Sequence, residues 1–165
     1  MPAGPDHLDP TTLDPSRVLA DPAAIARVLP HRLEMVMLSA IVYLDPVAQI
    51  IAGVKDVRAD EFWTRGHFPG RPVLPGVLMC EAAAQLCGYY AVSQKVVVDG
   101  VQGLGGIDNA SFRRVVRPGD RLLLVAKGIR LNRRMTVFNV QGFVGADRAF
   151  EADIKGVTLG RLEDV

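Results

Sequence analysis

The chain has 165 residues, of which 49% are hydrophobic and 22% are charged, and this is the composition of one compact globular domain. Nineteen Lys and Arg against eighteen Asp and Glu give a formal charge of +1, which removes the usual argument for a nucleic-acid-binding protein or a membrane-surface protein. We predict a flexible segment over residues 1–20, a single domain over residues 21–160 and a C-terminal tail over residues 161–165, because residues 1–16 hold four prolines, three aspartates and no apolar run.

The first half of the domain is predicted to contain a short helix and two strands. Asp21 and Pro22 stand where an N-cap and a first helical residue belong, and good helix formers follow until the helix ends before Pro30. Residues 35–44 and 47–57 are rich in β-branched side chains and are separated by an Asp-Pro turn, which predicts two strands. Residues 58–75 are irregular, and a long loop inside a compact domain is usually functional.

A second helix is predicted over residues 76–92, with Glu81 as its only formally charged side chain. It is shorter than the roughly 20 apolar residues that span a bilayer, so we predict a buried helix and no membrane partner. Cys80 and Cys87 would lie about 10.5 Å apart along this helix, which is too far for a disulfide. Both are predicted to be buried packing thiols, a pattern that suits a reducing cytoplasm.

Four further strands are predicted over residues 103–112, 121–131, 134–144 and 149–159. Turn residues separate them, which favours an antiparallel meander. A helix that is apolar nearly all round must be covered on most sides. We therefore predict an α+β fold in which a curved antiparallel sheet wraps around one long central helix.

The loop and the start of the second helix hold candidate groups for acid-base chemistry. His67 precedes three prolines and two glycines within nine residues, and the N–H of Gly76 at the helix start can polarise a carbonyl oxygen. Glu81 lies among apolar residues, which predicts a raised pKa because burial disfavours the charged form. A base, an acid and an oxyanion donor make an elimination site. The alternatives are a histidine that only donates to a backbone carbonyl and a carboxyl that is satisfied by Gln85.

Seven segments carry a more specific pattern over roughly residues 27–158: LPHR (29–32), GHFPGRPVLPGVL (66–78), EA (81–82), AQ (84–85), GIDNA (106–110), FRR (112–114) and VRPGD (116–120). Together they resemble the signature of the β-hydroxyacyl-acyl carrier protein dehydratases of the FabZ type. The resemblance implies a hot-dog fold, with two chains forming the working unit.

The resemblance also implies roles for individual residues. His67 matches the catalytic histidine of the family and Glu81 its catalytic glutamate, and the two groups of one site come from different chains. The backbone N–H of Gly76 would bind the thioester carbonyl, and the carbonyl of Val73 would orient the histidine. The substrate-binding residues implied in this way are Gly76, Val73, Phe68 and Gln85.

The implied reaction is the loss of water from a (3R)-hydroxyacyl thioester, which yields a trans-2-enoyl thioester. It needs no metal and no organic cofactor. The implied partners are an acyl carrier protein with a phosphopantetheine-linked acyl chain and further copies of the chain, as a homodimer at least and as a hexamer built from three dimers. We take His31, in the Pro-His-Arg turn, as structural rather than catalytic.

A basic stretch between residues 113 and 134 has two interpretations. It contains eight Lys and Arg with Asp120 as the only acid. The residues are either solvated strand edges and turns or a docking surface for an acidic carrier protein. The candidate docking residues are Arg113, Arg114, Arg117 and Arg121. No recognition motif accompanies the charge, so nucleic acid is not an expected partner.

The chain departs from the family pattern after its Pro-His-Arg turn. Where the family usually has Tyr-Pro-Phe and an Asp-Arg pair, this chain has residues 33–35 (LEM) and 39–40 (SA). Glu81 favours the dehydratase without isomerase activity, since the related FabA-type isomerases have an aspartate there. Two alternative functions are a hydratase or dehydratase acting on coenzyme A or specialised carrier thioesters, and a carrier-binding module without turnover.

Overall fold

The computed structural model describes residues 4–14, 16–161 and 163. Its helices are α1 (Pro22–Val28) and α2 (Gly76–Ser93), and a single 3-10 turn covers Leu33–Met35. Its strands are β1 (Ala40–Asp45), β2 (Ile50–Asp56), β3 (Gln102–Phe112), β4 (Arg121–Leu131), β5 (Met135–Val144) and β6 (Asp147–Thr158).

The six strands form one antiparallel sheet in the order β1-β2-β4-β5-β6-β3, and α2 packs against β2, β4, β5, β6 and β3. The predicted α+β hot-dog fold, a curved sheet around one long helix, is confirmed. The predicted four-stranded meander is wrong in one respect, because β3 pairs with β6 rather than with β4. The segment between β3 and β4 crosses the molecule instead of forming a hairpin, and it is held by hydrogen bonds from Leu74 N to Val116 O and from Gly119 N to Val57 O, both 2.8 Å.

The central helix α2 packs closely on the sheet because small residues allow it to approach. Ala82, Ala83 and Leu86 are completely buried. A Cβ atom on Gly53 of β2 would lie 2.9 Å from Leu86 Cδ1, so a larger residue there would push the helix away. In the described part of the chain, no helix has both the length and the apolar character needed to cross a membrane.

The first predicted strand begins later than the sequence suggests. Asp21 caps α1 as predicted, with its side chain accepting from Ala24 N at 2.7 Å. Met35 and Met37 do not belong to a strand. Their backbone groups are paired with the side chain of Gln85, which accepts from Met37 N and donates to Met35 O. The backbone groups are therefore satisfied without a neighbouring strand, and β1 starts only at Ala40.

The long loop before α2 is anchored by a buried ion pair. Lys55 Nζ donates to Glu61 Oε2 at 2.7 Å, and Trp63 Nε1 donates to the same oxygen at 3.0 Å. The N–H of Arg58 donates to the other carboxylate oxygen at 2.9 Å. Burial raises the pKa of Glu61, but these donors outweigh it and the net direction is downward. Trp63 O in turn accepts from the backbone N–H of His67 at 2.8 Å, so the anchor reaches the candidate site.

The N-terminal segment lies against the outer face of the sheet. His7 Nε2 lies 2.7 Å from Asn139 Oδ1, and the N–H of His7 donates to Gln141 Oε1 at 2.9 Å. Leu8 and Leu13 pack on an apolar cluster of that face. These contacts show where the segment docks, while the flexibility and the boundaries assigned to residues 1–20 and 161–165 stay predictions.

Both cysteines are buried on α2, as predicted. Burial raises the pKa of the Cys80 thiol and of the Cys87 thiol. They therefore pack as small apolar side chains.

We expect Glu61→Gln to destabilise the protein by about 3–5 kcal/mol at neutral pH, because it leaves the Lys55 ammonium buried without a counter-charge. The pKa of Glu61 is lower in the folded state than in the unfolded state. Its contribution to the free energy of unfolding is therefore present above the unfolded-state pKa and is lost as pH falls through the folded-state pKa. Urea unfolding at neutral and acidic pH should therefore show a difference in the free energy of unfolding between wild type and variant, and this difference should be smaller at acidic pH. The double variant Lys55→Met/Glu61→Gln is the control and should recover much of the loss. A Glu61→Gln protein as stable as wild type at neutral pH would contradict this account.

Candidate active site

His67 is oriented by a backbone carbonyl. Its Nδ1 lies 2.7 Å from Val73 O, and because a carbonyl can only accept, Nδ1 carries the proton. The neutral ring therefore presents its Nε2 lone pair, the arrangement that a general base requires. Val73 N donates back to His67 O at 2.7 Å, which closes the loop on itself. Phe68 stacks on the imidazole, with the ring centres 4.2 Å apart.

His67 and the start of α2 line one cavity of about 570 Å³, together with Val73, Phe112 and Arg113. Gly76 is the first residue of the helix, where backbone N–H groups have no partner inside the helix. A Cβ on Gly76 would lie 2.9 Å from two ring atoms of Phe112, so glycine leaves the room that this aromatic ring occupies against the helix start. The base and the candidate oxyanion donor thus line one cavity.

Glu81 is held in place on another side of α2. Gln85 Nε2 donates to Glu81 Oε1 at 2.8 Å, and His31 Nε2 lies 3.4 Å from the same oxygen. Contact with His31 lowers the pKa of Glu81, burial raises it and the hydrogen bond from Gln85 lowers it further, with a net downward shift. The predicted rise in this pKa is therefore wrong, because the hydrogen-bond donors around the carboxylate outweigh its burial.

Gln85 is almost completely buried, and the protein uses its whole amide group. Its Nε2 donates to Glu81 and to Met35 O at 2.7 Å, and its Oε1 accepts from Met37 N at 3.0 Å. These are the contacts of a positioning residue. The substrate-binding role predicted for Gln85 stays a prediction.

A second cavity, of about 400 Å³, runs along the face of α2 that carries Glu81. Glu81, Gln85, Gly88 and Val92 follow one another at spacings of three or four residues, so they share one helix face. His31 and the end of α1 form the opposite wall. The helix residues that line this cavity therefore span about 16 Å along the helix axis, from Glu81 to Val92.

One chain does not bring His67 and Glu81 into one cavity. The residues that line the two cavities have no member in common. Gly76 and Glu81 are five residues apart on α2, which rotates them by about 140° around the helix axis. Each chain consequently presents two candidate half-sites, the His67 cavity and the Glu81 cavity, on different sides of the helix.

The four predicted docking arginines do not have the same surroundings. Arg113 and Arg114 line the His67 cavity. Arg114 pairs with Asp147, and Arg121 Nε donates to Asp56 at 2.6 Å, whereas Arg117 forms no ion pair with any described residue. Arg113 lies 3.9 Å from Glu151. The charges of Arg113 and Arg117 are therefore the least neutralised of the four.

Metal ligands do not cluster in the part of the chain that the structure describes. Over residues 4–14, 16–161 and 163, no group of three or more His, Cys, Asp and Glu side chains is arranged to hold a metal ion. The described groups around the two cavities are those of acid-base chemistry.

Two residues of this region were not assigned to the site from the sequence. Phe112 covers Gly76, and only the FRR segment in which it stands pointed to it. The sequence predicts a structural role for His31, yet this residue contacts Glu81 and lines the same cavity. Pairing a loop histidine with a carboxyl fifty residues away requires the tertiary structure.

Comparison with known proteins places the chain in a family. A model of the FabA-like domain matches residues 29–153. A 3-hydroxyacyl-acyl-carrier-protein dehydratase FabZ of Alkalilimnicola ehrlichii is 39% identical over 143 residues, which are 85% of this chain and 92% of that protein. A FabZ of Brucella abortus is 39% identical over 136 residues, 82% of this chain and 86% of that one. The chain belongs to the FabA-like family, and within it to the FabZ-type dehydratases.

Solved structures support the fold. The dehydratase heterocomplex ApeI:P of Xenorhabdus doucetiae matches with a TM-score of 0.71 and 16% identity, over 84% of this chain and 93% of that one. The PaaI protein of E. coli matches with a TM-score of 0.55 and 15% identity, over 71% and 80%. At these identities the likeness extends to the fold alone.

We expect Gln85→Leu to destabilise the protein by about 2 kcal/mol, because it leaves the buried N–H of Met37 and the carbonyl of Met35 without partners. Denaturant unfolding measures this loss. Gln94→Leu, at the end of the same helix, is the matched control. Unchanged stability together with a raised KM would instead assign Gln85 to substrate binding.

Proposed function

We propose that the protein is a (3R)-hydroxyacyl-acyl-carrier-protein dehydratase, a hydro-lyase that forms trans-2-enoyl thioesters in fatty acid biosynthesis. The observation that carries this proposal is the His67 arrangement, in which Val73 O fixes the tautomer and leaves the Nε2 lone pair available in the cavity that Gly76 also lines. The family membership agrees with this chemistry, since the FabZ relatives have the same named activity.

The reaction follows from these groups. His67 Nε2 removes a proton from C2 of the substrate, and the N–H of Gly76 donates to the thioester oxygen as negative charge develops on it. The C3–O bond then breaks, a C2=C3 double bond forms, and the hydroxyl leaves as water with a proton delivered from the side of Glu81. The substrate thioester makes the C2 proton acidic, so the proposal includes no cofactor and no metal.

The proposed working unit is a homodimer, because the two half-sites of one chain face different sides of α2. A twofold dimer would join the His67 cavity of one chain to the Glu81 cavity of its partner, twice. Strand β3 offers an edge for this association, since only β6 pairs with it within the described chain. Phe68, Val77, Phe112 and Val115 around the His67 cavity are each at least 47% exposed, an apolar surface that a partner would cover. A hexamer of three dimers and a cytoplasmic location remain parts of this proposal.

An acyl carrier protein is the proposed macromolecular partner. Arg113 and Arg114 line the His67 cavity, and Arg117 is exposed on the same crossing segment. An acidic carrier docked there could extend its phosphopantetheine arm towards His67. Arg121 is engaged with Asp56, so we place it at the margin of this surface.

His67→Ala and Glu81→Gln are each expected to lower kcat by about 100-fold or more while the protein still folds, because each removes an acid-base group. The measurement is enoyl formation by absorbance, with 3-hydroxyacyl chains offered on carrier protein and on coenzyme A. His7→Ala removes a histidine far from both cavities and is the control. Near-wild-type turnover by either variant contradicts the assigned mechanism.

Mixing the two inactive variants tests the shared site. Dimers with one chain of each kind contain one intact His67 and one intact Glu81 that face each other, so partial activity should return. The mixture is compared with each variant alone after subunit exchange has been demonstrated. Exchange without recovered activity would reject a site built from two chains.

The double charge reversal Arg113→Glu/Arg117→Glu should raise the KM for a carrier-bound substrate by about 10-fold at low salt and change kcat little. A small N-acetylcysteamine thioester needs no docking surface and should be unaffected. Arg130→Glu/Arg133→Glu, at exposed positions of the same basic stretch, is the matched control. The difference in KM for the carrier-bound substrate between wild type and Arg113→Glu/Arg117→Glu should become smaller at high salt, because salt screens exposed charges. Equal losses with both substrates would mean that the arginines support the fold or the site.

A further inference from the structure

His31 faces the catalytic carboxylate from the loop that follows α1. Its Nε2 lies 3.4 Å from Glu81 Oε1, and the two side chains are 30% and 23% exposed in the same cavity. We propose that His31 and Glu81 work as a pair, in which His31 orients the carboxylate and supplies the proton that Glu81 passes to the departing hydroxyl. This inference rests on the proposed dehydratase function and makes His31 a positioning residue that acts through Glu81.

The geometry fixes one carboxylate oxygen and leaves the other available. Gln85 Nε2 and His31 Nε2 both approach Oε1 of Glu81, and Gln85 is itself held by the backbone at Met35 and Met37. Among the described residues, no hydrogen bond reaches Oε2 of Glu81. The carboxylate therefore has one anchored oxygen and one that can meet a substrate hydroxyl in the cavity.

The ring of His31 has no other polar engagement in the described structure. Its Nδ1 is buried and has no hydrogen-bond partner there, in contrast to Nδ1 of His67, which is committed to Val73 O. A histidine retained for structure usually uses its ring nitrogens to hold backbone or side-chain groups. The only polar contact that the structure gives to the His31 ring is Glu81.

The chemistry requires a proton source next to Glu81. A carboxyl whose pKa is lowered is ionised near neutral pH and has no proton of its own to donate. The other charged groups along this cavity are Arg27, Arg32 and Arg161, and guanidinium groups do not give up protons in proteins. Arg32 is also tied to the carbonyls of Leu29 and His31. Of the described groups that line the cavity, His31 alone can exchange a proton with Glu81.

Protons pass from His31 through Glu81 to the substrate hydroxyl. The imidazolium of His31 transfers a proton from Nε2 to the Glu81 carboxylate, and the carboxyl transfers a proton to the C3 hydroxyl, which leaves as water. His67 of the other chain takes the C2 proton, and the electron pair of that C–H bond becomes the C2=C3 double bond. His67 then releases its proton to solvent and His31 takes one up before the next turnover. No oxidant, reductant or co-reactant is needed.

The experiment compares His31→Gln and His31→Ala with wild type. Glutamine can keep an N–H donor near Glu81 but cannot supply a proton, so His31→Gln should lower kcat at neutral pH by about 100-fold with KM changed by less than about threefold. The alkaline limb of the kcat profile should move to lower pH, because a carboxyl alone loses its proton at lower pH than an imidazolium does. His7→Gln is the matched control and should behave as wild type.

A second measurement follows the carboxyl carbon of Glu81 by NMR during a pH titration. The carboxyl of wild type should titrate below the ordinary range of a glutamate, and its titration should move to higher pH in His31→Gln and His31→Ala. If the Glu81 carboxyl of wild type titrates in the ordinary range of a glutamate, the proposed pairing of His31 with Glu81 is wrong. This test needs no variant and holds even if the variants do not fold.

Three kinetic outcomes are decisive. Wild-type kcat and an unchanged pH profile in His31→Gln overturn the proposal. Loss of kcat with an unchanged pH profile and a lowered melting temperature assigns His31 a structural role and also overturns it. A wild type without dehydratase activity would refute the proposed function, while the NMR titration would still decide whether the two groups interact.

Discussion

The constraint on which the rest of this structure depends is the apolar surface of α2. Ten of its eighteen residues are buried within the chain itself, and they include positions on every side of the helix. An apolar helix of this kind is stable only when it is enclosed. The curved sheet and α1 pack against α2, and the loop residues Trp63 and Leu74 belong to the same buried cluster. Two cavities interrupt this enclosure, and both are lined by groups that can take part in acid-base chemistry.

The position of the reactive groups follows from helix geometry. Gly76 opens the helix and therefore has an N–H without a helical partner, while Glu81 stands little more than one turn further on and points to another side. Moving the carboxyl by one position would change the face that it occupies by about 100°. The five-residue spacing thus places Gly76 and Glu81, the candidate oxyanion donor and the candidate acid, on different sides of the helix within one chain.

Much of this arrangement could be predicted from local sequence signals. The Asp-Pro start of α1, the turn residues between β4, β5 and β6, and the Gly-Pro loop before α2 all specify backbone conformations over short distances. What could not be predicted depends on contacts between distant segments. The pairing of β3 with β6 depends on the crossing segment, and the late start of β1 depends on the side chain of Gln85, fifty residues away from Met35.

The site shows the same division between local and distant effects. The contact between His67 and Val73 is six residues apart and belongs to a recognisable motif, so its role could be expected. The lowered pKa of Glu81 could not, because burial alone predicts a raised pKa and the largest opposing contact comes from His31, fifty residues away in the chain. Burial alone predicts the wrong direction of this pKa shift, because it accounts for the loss of hydration and not for the donors that replace the water.

The two buried thiols give the central helix a property of practical use. With little thiolate present, neither cysteine reacts readily with an alkylating reagent while α2 is packed. Alkylation then reports how often that packing opens. Cys80 stands next to Glu81, and Cys87 lies about two turns further along the helix. The ratio of their labelling rates would therefore distinguish a local opening beside the carboxylate from the release of the whole helix, in a protein with its natural sequence.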